Sequence, residues 1–364
     1  MVFKAWRRIW IGGLMALTCG AGGAVAAPAP AHKPIEIRVV VVTTWEGYKD
    51  GVDKGGELNA WQTRWPLETA LPFPAGVHAL QYDPKTHVLA VLTGMATARA
   101  AASIMALGLD PRFDLRHAYW IVAGTAGVDP EVASVGSAAW ARWIVDGDLM
   151  QEIDAREIPP DWPTGAVPNT RSKPYELPRP PIHNDEGNVA FALNGRLADW
   201  AYAQSKGVAL DDDDATKALR APYAGAGGKP PFVLEGDGLM SARFWFGERL
   251  NQWARRWVDY WTDGKGVFVM SAEEDSGILQ ALTFLSGAGR VDLDRVLVLR
   301  GASDYTIPPP GITAAALMAK ENTEGFPGTP AALDNLYRVA APVARTLAAD
   351  WTHTRNAIPG GAKR

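Results

Sequence analysis

A chain of 364 residues with 47% apolar content is long enough to bury a large core, either as one domain or as one domain carrying an insertion. Its formal net charge of -4 provides no basic footprint for a nucleic-acid partner. One cysteine, Cys19, and six scattered histidines without His-x-x-x-His or His-Glu-x-x-His spacing argue against a disulfide framework and against a zinc site.

In chain order, Lys4, Arg7 and Arg8 precede an apolar run from Ile9 to Cys19 and the small residues Ala24-Val25-Ala26. That is the order of a secretory signal and its cleavage site, so residues 1–27 are expected to be removed and the mature chain to be periplasmic or secreted. An uncleaved anchor is the alternative. Ala16, three positions before Cys19, is too small for lipoprotein processing. No later run reaches the roughly 20 apolar residues a spanning helix requires. Ile35 to Thr43 and Val88 to Leu92 read as buried strands, Ala96 to Leu107 as an Ala-rich helix and Ala118 to Val122 as a further strand. Val132, Val135, Trp140, Trp143 and Val145 suggest strands leading to Asp146-Gly147-Asp148. This alternation predicts an α/β fold, one domain over residues 35–350.

From about 151 to 229 the character changes to Pro, Gly, Asp and Trp, which predicts an elaborated insertion; its acidic run, Asp211 to Asp214, reads as a solvated face or a helix start. Regular structure resumes at Phe232. Phe244, Trp245, Leu250, Trp253, Trp257 and Trp261 recur at three- and four-residue steps, predicting an amphipathic helix over 243–261. Most of these aromatics belong to a core, and Trp245 is the one placed either to pack there or to stack on a flat ligand. Val267 to Met270 is a strand, and Ser271-Ala272-Glu273-Glu274-Asp275-Ser276-Gly277 opens a helix ending near Leu285. Glu273 and Asp275 suit the helix dipole, whereas Glu274 can point back over the strand ends. Arg295-Val-Leu-Val-Leu-Arg300 is a strand buried on both faces that runs into Gly301-Ala302-Ser303-Asp304. Asp304 is either a turn cap or a group at the carboxyl end of the sheet, where open α/β sheets bind ligands. The basic, Gly-rich tail after Trp351 is expected to fray.

Four strings in fixed order, Thr93-Gly94-Met95, Ala123-Gly124-Thr125-Ala126-Gly127, Met270 to Gly277 and Arg300-Gly301-Ala302-Ser303-Asp304, resemble the nucleoside phosphorylase superfamily over roughly residues 35–320. Within it, Glu-Glu-Asp-Ser-Gly and Leu-Arg-Gly-Ala-Ser-Asp-Tyr look like the purine nucleoside permeases. The resemblance implies a three-layer fold, with a mixed central sheet of about nine or ten strands flanked by helices. It also implies a nucleoside across the strand ends, no cofactor, and a homo-oligomer. On the same ground Glu274 would hold the ribose hydroxyls, Asp304 with Ser303 would face N7 of the purine, and Trp245 would stack. Thr93 and Gly94 would lie beside the anomeric carbon, and Gly124 and Thr125 under the base.

The departures bear on the reaction. Phosphorylases of the superfamily carry a Gly-Asp-Pro loop after the first strand and an Arg two residues before the Gly-Ser/Thr pair, whereas this chain has Thr43-Thr44-Trp45-Glu46-Gly47 and Val122. A buried dianion without its arginine is costly. Glu46 matches the carboxylate that activates water in the hydrolytic members. Three readings follow: a purine nucleosidase using Asp304 and Glu46, a non-catalytic binding protein that serves uptake with a separate membrane transport partner, and a phosphorylase with a phosphate site built from residues such as Arg99 or Arg300.

Overall fold

Runs of consecutive β-branched and aliphatic residues are the reason the sheet is buried on both faces. In a strand successive side chains point to opposite sides, so Val39-Val-Val-Val-Thr43 contributes to two cores at once. In the computed structural model, which describes residues 33–46, 55–184 and 187–361, twelve strands pair into one sheet. They are β1 Val39–Thr43, β2 Thr69–Leu71, β3 Leu80–Asp83, β4 Val88–Leu92, β5 Tyr119–Val128, β6 Ala138–Trp140, β7 Trp143–Asp146, β8 Ala190–Ala192, β9 Val233–Glu235, β10 Asp237–Met240, β11 Phe268–Ala272 and β12 Val296–Tyr305. The helices used below are α1 Asn59–Arg64, α2 Thr97–Leu109, α3 Gly195–Ser205, α4 Asp214–Arg220, α5 Glu248–Thr262, α6 Asp275–Gly287, α7 Ala314–Glu324 and α8 Thr329–Ala349. The architecture is the expected mixed sheet flanked by helices, with more strands than the nine or ten anticipated because short edge strands extend it.

Everything turns on β5. Its first half runs parallel to β1, while its full length runs parallel to β12, and Gly127 and Val128 pair antiparallel with β11. Val39, Val41, Tyr119, Ile121, Leu297 and Leu299 face a core shared with α8. Val40, Val42, Trp120, Val122, Val296 and Val298 face the opposite core, built by Ile104 and Leu107 of α2 and Ile278 and Leu282 of α6. A third, aromatic core gathers Trp253, Trp257 and Trp261 of α5 against Val145 and Leu239.

Several boundaries differ from the sequence expectation for physical reasons. The helix expected over 243–261 begins at Glu248, because Gly247, at φ +131°, breaks the run; Trp245 therefore precedes the helix. Val132 and Val135 lie outside the strands, in a turn closed by the Val132 N–H donating to the Asp129 carbonyl. Asp213 of the acidic run caps α4, accepting from the Thr216 N–H at 2.7 Å. The tail is docked: Trp351 is buried, and the Thr354 carbonyl accepts from the Tyr119 hydroxyl and from Arg295 at 2.8 Å each. The segment expected to be a signal, residues 1–27, lies outside the described residues.

The start of α6 fits against the start of α2 only because Gly277 has no side chain. A Cβ there would collide with the Thr97 carbonyl oxygen and come 2.9 Å from Thr97 Cγ2. Gly277→Ala must push the helices apart and is expected to destabilise the protein by about 1–3 kcal/mol, read as a lowered urea midpoint with an unchanged slope.

Candidate functional site

The carboxyl ends of the parallel strands open into a cleft of about 1070 Å³. Thr44 and Trp45 after β1, Met95 after β4, Thr125 to Gly127 of β5, Ser271 to Glu274 at the end of β11, and Ser303 and Asp304 of β12 line its floor. Glu57 and α1 form one side, and α7 with the start of α8 forms the other.

Asp304 is not past the end of its strand, as expected, but inside it. The β12 ladder runs in register with β5 up to Ala302 opposite Ala126, then slips so that Asp304 faces Gly127 and Ser303 is the extra residue. Such a bulge re-aims the side chain that follows. Gly127 makes room for it, since a Cβ there would lie 3.0 Å from Asp304 Oδ2. Burial pushes the Asp304 carboxyl up to about 6, against the pull of the Ser303 hydroxyl, which donates to Oδ1 at 2.7 Å.

Glu274 stands at the junction of β11 and α6, 4% exposed. Its Oε2 accepts from Arg300 Nη2 at 2.9 Å, and its Oε1 from the Ala96 N–H at 3.4 Å. Burial raises its pKa, partly offset by Arg300. The Arg300 guanidinium is 2% exposed and forks onto Asp275, while its Nη1 donates to the Thr125 carbonyl at 2.9 Å. Asp275 thus serves an ion pair as well as the helix dipole it was expected to complement. Burial of Arg300 is outweighed by Asp275 and Glu274, so it stays charged. Gly124 lies directly over this guanidinium, and a Cβ there would collide with Nη1.

The expected site residues separate into two groups. Asp304, Ser303, Glu274 and Thr125 meet in the cleft. Thr93, Gly94 and Gly124 are not among the residues lining it; Thr93 is fully buried, its hydroxyl donating to the Gly94 carbonyl at 3.1 Å and its own carbonyl accepting from Ser103 at 2.9 Å. Trp245 packs against Trp253 and Phe268, with ring centroids 6.0 and 6.3 Å away, and borders a small recess beside Asp304; the aromatics lining the main cleft are Trp45, Phe244 and Phe326. Glu46 does not line the cleft among the described residues, and its carboxylate sits 2.5 Å from His78 Nε2.

The carboxylate that does line the cleft beside β1 is Glu57, 3% exposed. Its Oε1 accepts from the Thr125 N–H at 2.7 Å and hydroxyl at 3.1 Å. Its Oε2 accepts from the N–H groups of Thr44 and Trp45, at 2.6 and 3.1 Å, and from the Thr44 hydroxyl at 3.1 Å. The sequence signal for it is faint, a Gly55-Gly56 turn followed by Glu at the entry to a Trp-containing helix. Glu273 and Glu321 were also missed as cleft groups. Burial, then the charge of Glu274, pushes Glu273 up to about 7; burial, then the charge of Asp304, does the same to Glu321. Among the described residues no cluster of three or more His, Cys, Asp or Glu is arranged to hold a metal ion, and no helix is long and apolar enough to cross a membrane.

Two measurements probe this electrostatic arrangement. Arg300→Met would leave Glu274 and Asp275 as buried unpaired carboxylates and should cost about 3–5 kcal/mol in urea unfolding. The Asp304 carboxyl, raised when folded above its unfolded value, contributes most below pH 4 and loses that contribution as the pH rises through 6. Asp304→Asn should therefore stabilise the protein by about 3 kcal/mol at pH 8, with the gain vanishing near pH 4, in paired unfolding curves.

The model of the purine nucleoside permease (NUP) family matches residues 36–359. Over 267 residues the chain is 32% identical to a probable purine nucleoside permease of Schizosaccharomyces pombe, covering 72% of this chain and 76% of that protein. It is 30% identical to a purine nucleoside permease of Candida albicans, where the match spans 72% of this chain but only 64% of the relative's length. Among solved structures, the 5'-methylthioadenosine/S-adenosylhomocysteine nucleosidase of Neisseria meningitidis, in complex with methylthio-immucillin-A, superposes with a TM-score of 0.50 at 15% identity, over 86% of this chain and 99% of that one. The corresponding Helicobacter pylori nucleosidase gives 0.50 at 12% identity, over 85% and 99%. These two likenesses establish a shared fold.

Proposed function

Because the chain belongs to the purine nucleoside permease family, we propose that its cleft binds a purine nucleoside and hydrolyses the N-glycosidic bond. The observation that carries this reading is the buried Asp304 carboxyl, aimed into the cleft by a strand bulge and holding its proton to about pH 6. Breaking the bond between C1' and N9 pushes an electron pair into the base, and a carboxylic acid at N7 supplies the proton that makes the purine a good leaving group. Glu274, held by Arg300, accepts from the ribose hydroxyls. A water oxygen forms the new bond at C1' and gives its proton to a carboxylate, leaving free purine and free ribose.

We assign that carboxylate to Glu57, the cleft-lining group nearest the end of β1, in preference to Glu46. Three backbone N–H groups fix Glu57, and rotation of the Thr44 and Thr125 hydroxyls opens the lone pairs that a water would use. Phosphorolysis is disfavoured by charge. Six carboxyl groups, Glu57, Glu273, Glu274, Asp304, Glu321 and Asp334, line the cleft, while Arg300 is tied to acidic partners and Arg64 pairs with Asp334 at 2.6 Å. A phosphate dianion would enter a field of its own sign. The occupied lone pairs of Glu57 favour a second reading, in which the cleft binds a nucleoside without cleaving it and serves uptake together with a membrane partner. In either case the basic and apolar amino-terminal segment would direct the protein out of the cytoplasm.

Incubation with inosine and adenosine, with and without phosphate, separates these readings. Hydrolysis predicts phosphate-independent release of free ribose, slowed about 100- to 10,000-fold by Asp304→Asn and abolished by Glu57→Gln, with Glu46→Gln much less affected. The rate should also fall above pH 6 as Asp304 loses its proton. Sugar phosphate formed only with phosphate would overturn the assignment. Binding without turnover would establish the uptake reading.

A further inference from the structure

Building on the nucleoside reading, we propose that Glu321 is the specificity-determining contact to the six-position substituent of the purine. Helix α7 lies between Gly311 and Gly325, both at positive φ (+83° and +80°), and buries only Leu317. Its Glu321, with Asn322, faces the cleft whose floor carries Asp304. The Glu321 side chain forms no hydrogen bond or ion pair with any described residue, the neighbouring Lys320 being turned to Glu324 at 4.0 Å. It is therefore a half-buried carboxyl with its hydrogen-bonding capacity unspent, close enough to Asp304 for their charges to interact.

The chemistry of the base connects the two groups. N7 and the six-position substituent of a purine project from the same edge. Once Asp304 occupies N7, the next polar atom along that edge is an amino group in adenine or a carbonyl oxygen in hypoxanthine and guanine. An ionised Glu321 accepts from the amino group and repels the carbonyl, whereas a protonated Glu321 donates to the carbonyl. Glu321 thus discriminates by its protonation state, which burial and Asp304 bring up to about 7 and which Lys320 opposes. The remaining titratable neighbour is Tyr223, beside both carboxyls. Its hydroxyl donates to the Ile307 carbonyl at 2.8 Å, and burial raises its pKa, so it stays neutral throughout this range.

The test is the ratio of kcat/KM for adenosine to that for inosine, or of the two association constants if nothing is cleaved, measured from pH 5.5 to 8.5. Donation by Asp304 to N7 is common to both nucleosides and cancels in the ratio, so the charge of Asp304 reaches the ratio only through Glu321. In the wild type the ratio should rise with pH by on the order of tenfold, the value of one hydrogen bond to a charged group. Glu321→Gln, which can donate or accept, should flatten it. A wild-type ratio independent of pH, or a ratio unchanged by Glu321→Gln, overturns the role of Glu321 while the nucleoside reading stands. Absence of both binding and cleavage of either nucleoside by the wild type overturns the reading and this inference together.

Discussion

The site depends on one buried guanidinium. Arg300 extends from the last long strand beneath the cleft, where Asp275, Glu274 and the Thr125 carbonyl take four of its hydrogen bonds. These partners belong to the junction of β11 with α6 and to the middle of β5, so one side chain of β12 joins two segments that are remote from each other in sequence. An unpaired charge at that depth would be prohibitive, which obliges the partners to stay in place. A consequence is that Glu274 is presented to the cleft already oriented, without an entropic cost when a ligand arrives.

A second constraint follows from the close fit around that charge. Gly124 and Gly127 flank Thr125-Ala126 along β5, and each leaves out a Cβ where a functional group comes through, Arg300 below Gly124 and Asp304 beside Gly127. The Ser303 bulge then turns Asp304 toward the cleft instead of leaving it in the ladder. Burial that makes the acid useful also makes it costly when ionised, a local expense borne by the large cores on both faces of the sheet.

The acidic lining gives the cleft its chemical character. Burial first, and then the charge of a neighbouring carboxyl, raises the pKa of Glu273 beside Glu274 and of Glu321 near Asp304. Such a cleft suits hydrogen-bonding neutral ligands and the positive charge that develops on a sugar ring as a glycosidic bond opens. It is poorly matched to phosphorylated ones.

Much of this was legible in the residues alone. Unbroken aliphatic runs such as Val39 to Val42 and Val296 to Leu299 carry the doubly covered sheet in their composition, and the strings around Glu274 and Asp304 carry the family. The choices between neighbours were not legible, because they depend on which side chain the folded chain turns inward. Nothing local separates Trp245 from Phe244, yet the break at Gly247 before α5 leaves the first in an aromatic core and the second on the cleft wall. Nor does local sequence distinguish Glu46 from Glu57, where the N–H groups of Thr44, Trp45 and Thr125 single out the latter. Glu321 has no signal in its own helix at all, since its significance arises from a strand that ends sixteen residues earlier at Tyr305. Hydrophobic periodicity determined the sheet and its cores from sequence, because burial of apolar surface is additive along the chain; the site was decided by tertiary contacts, because a charge is defined by the partners that long-range folding brings to it.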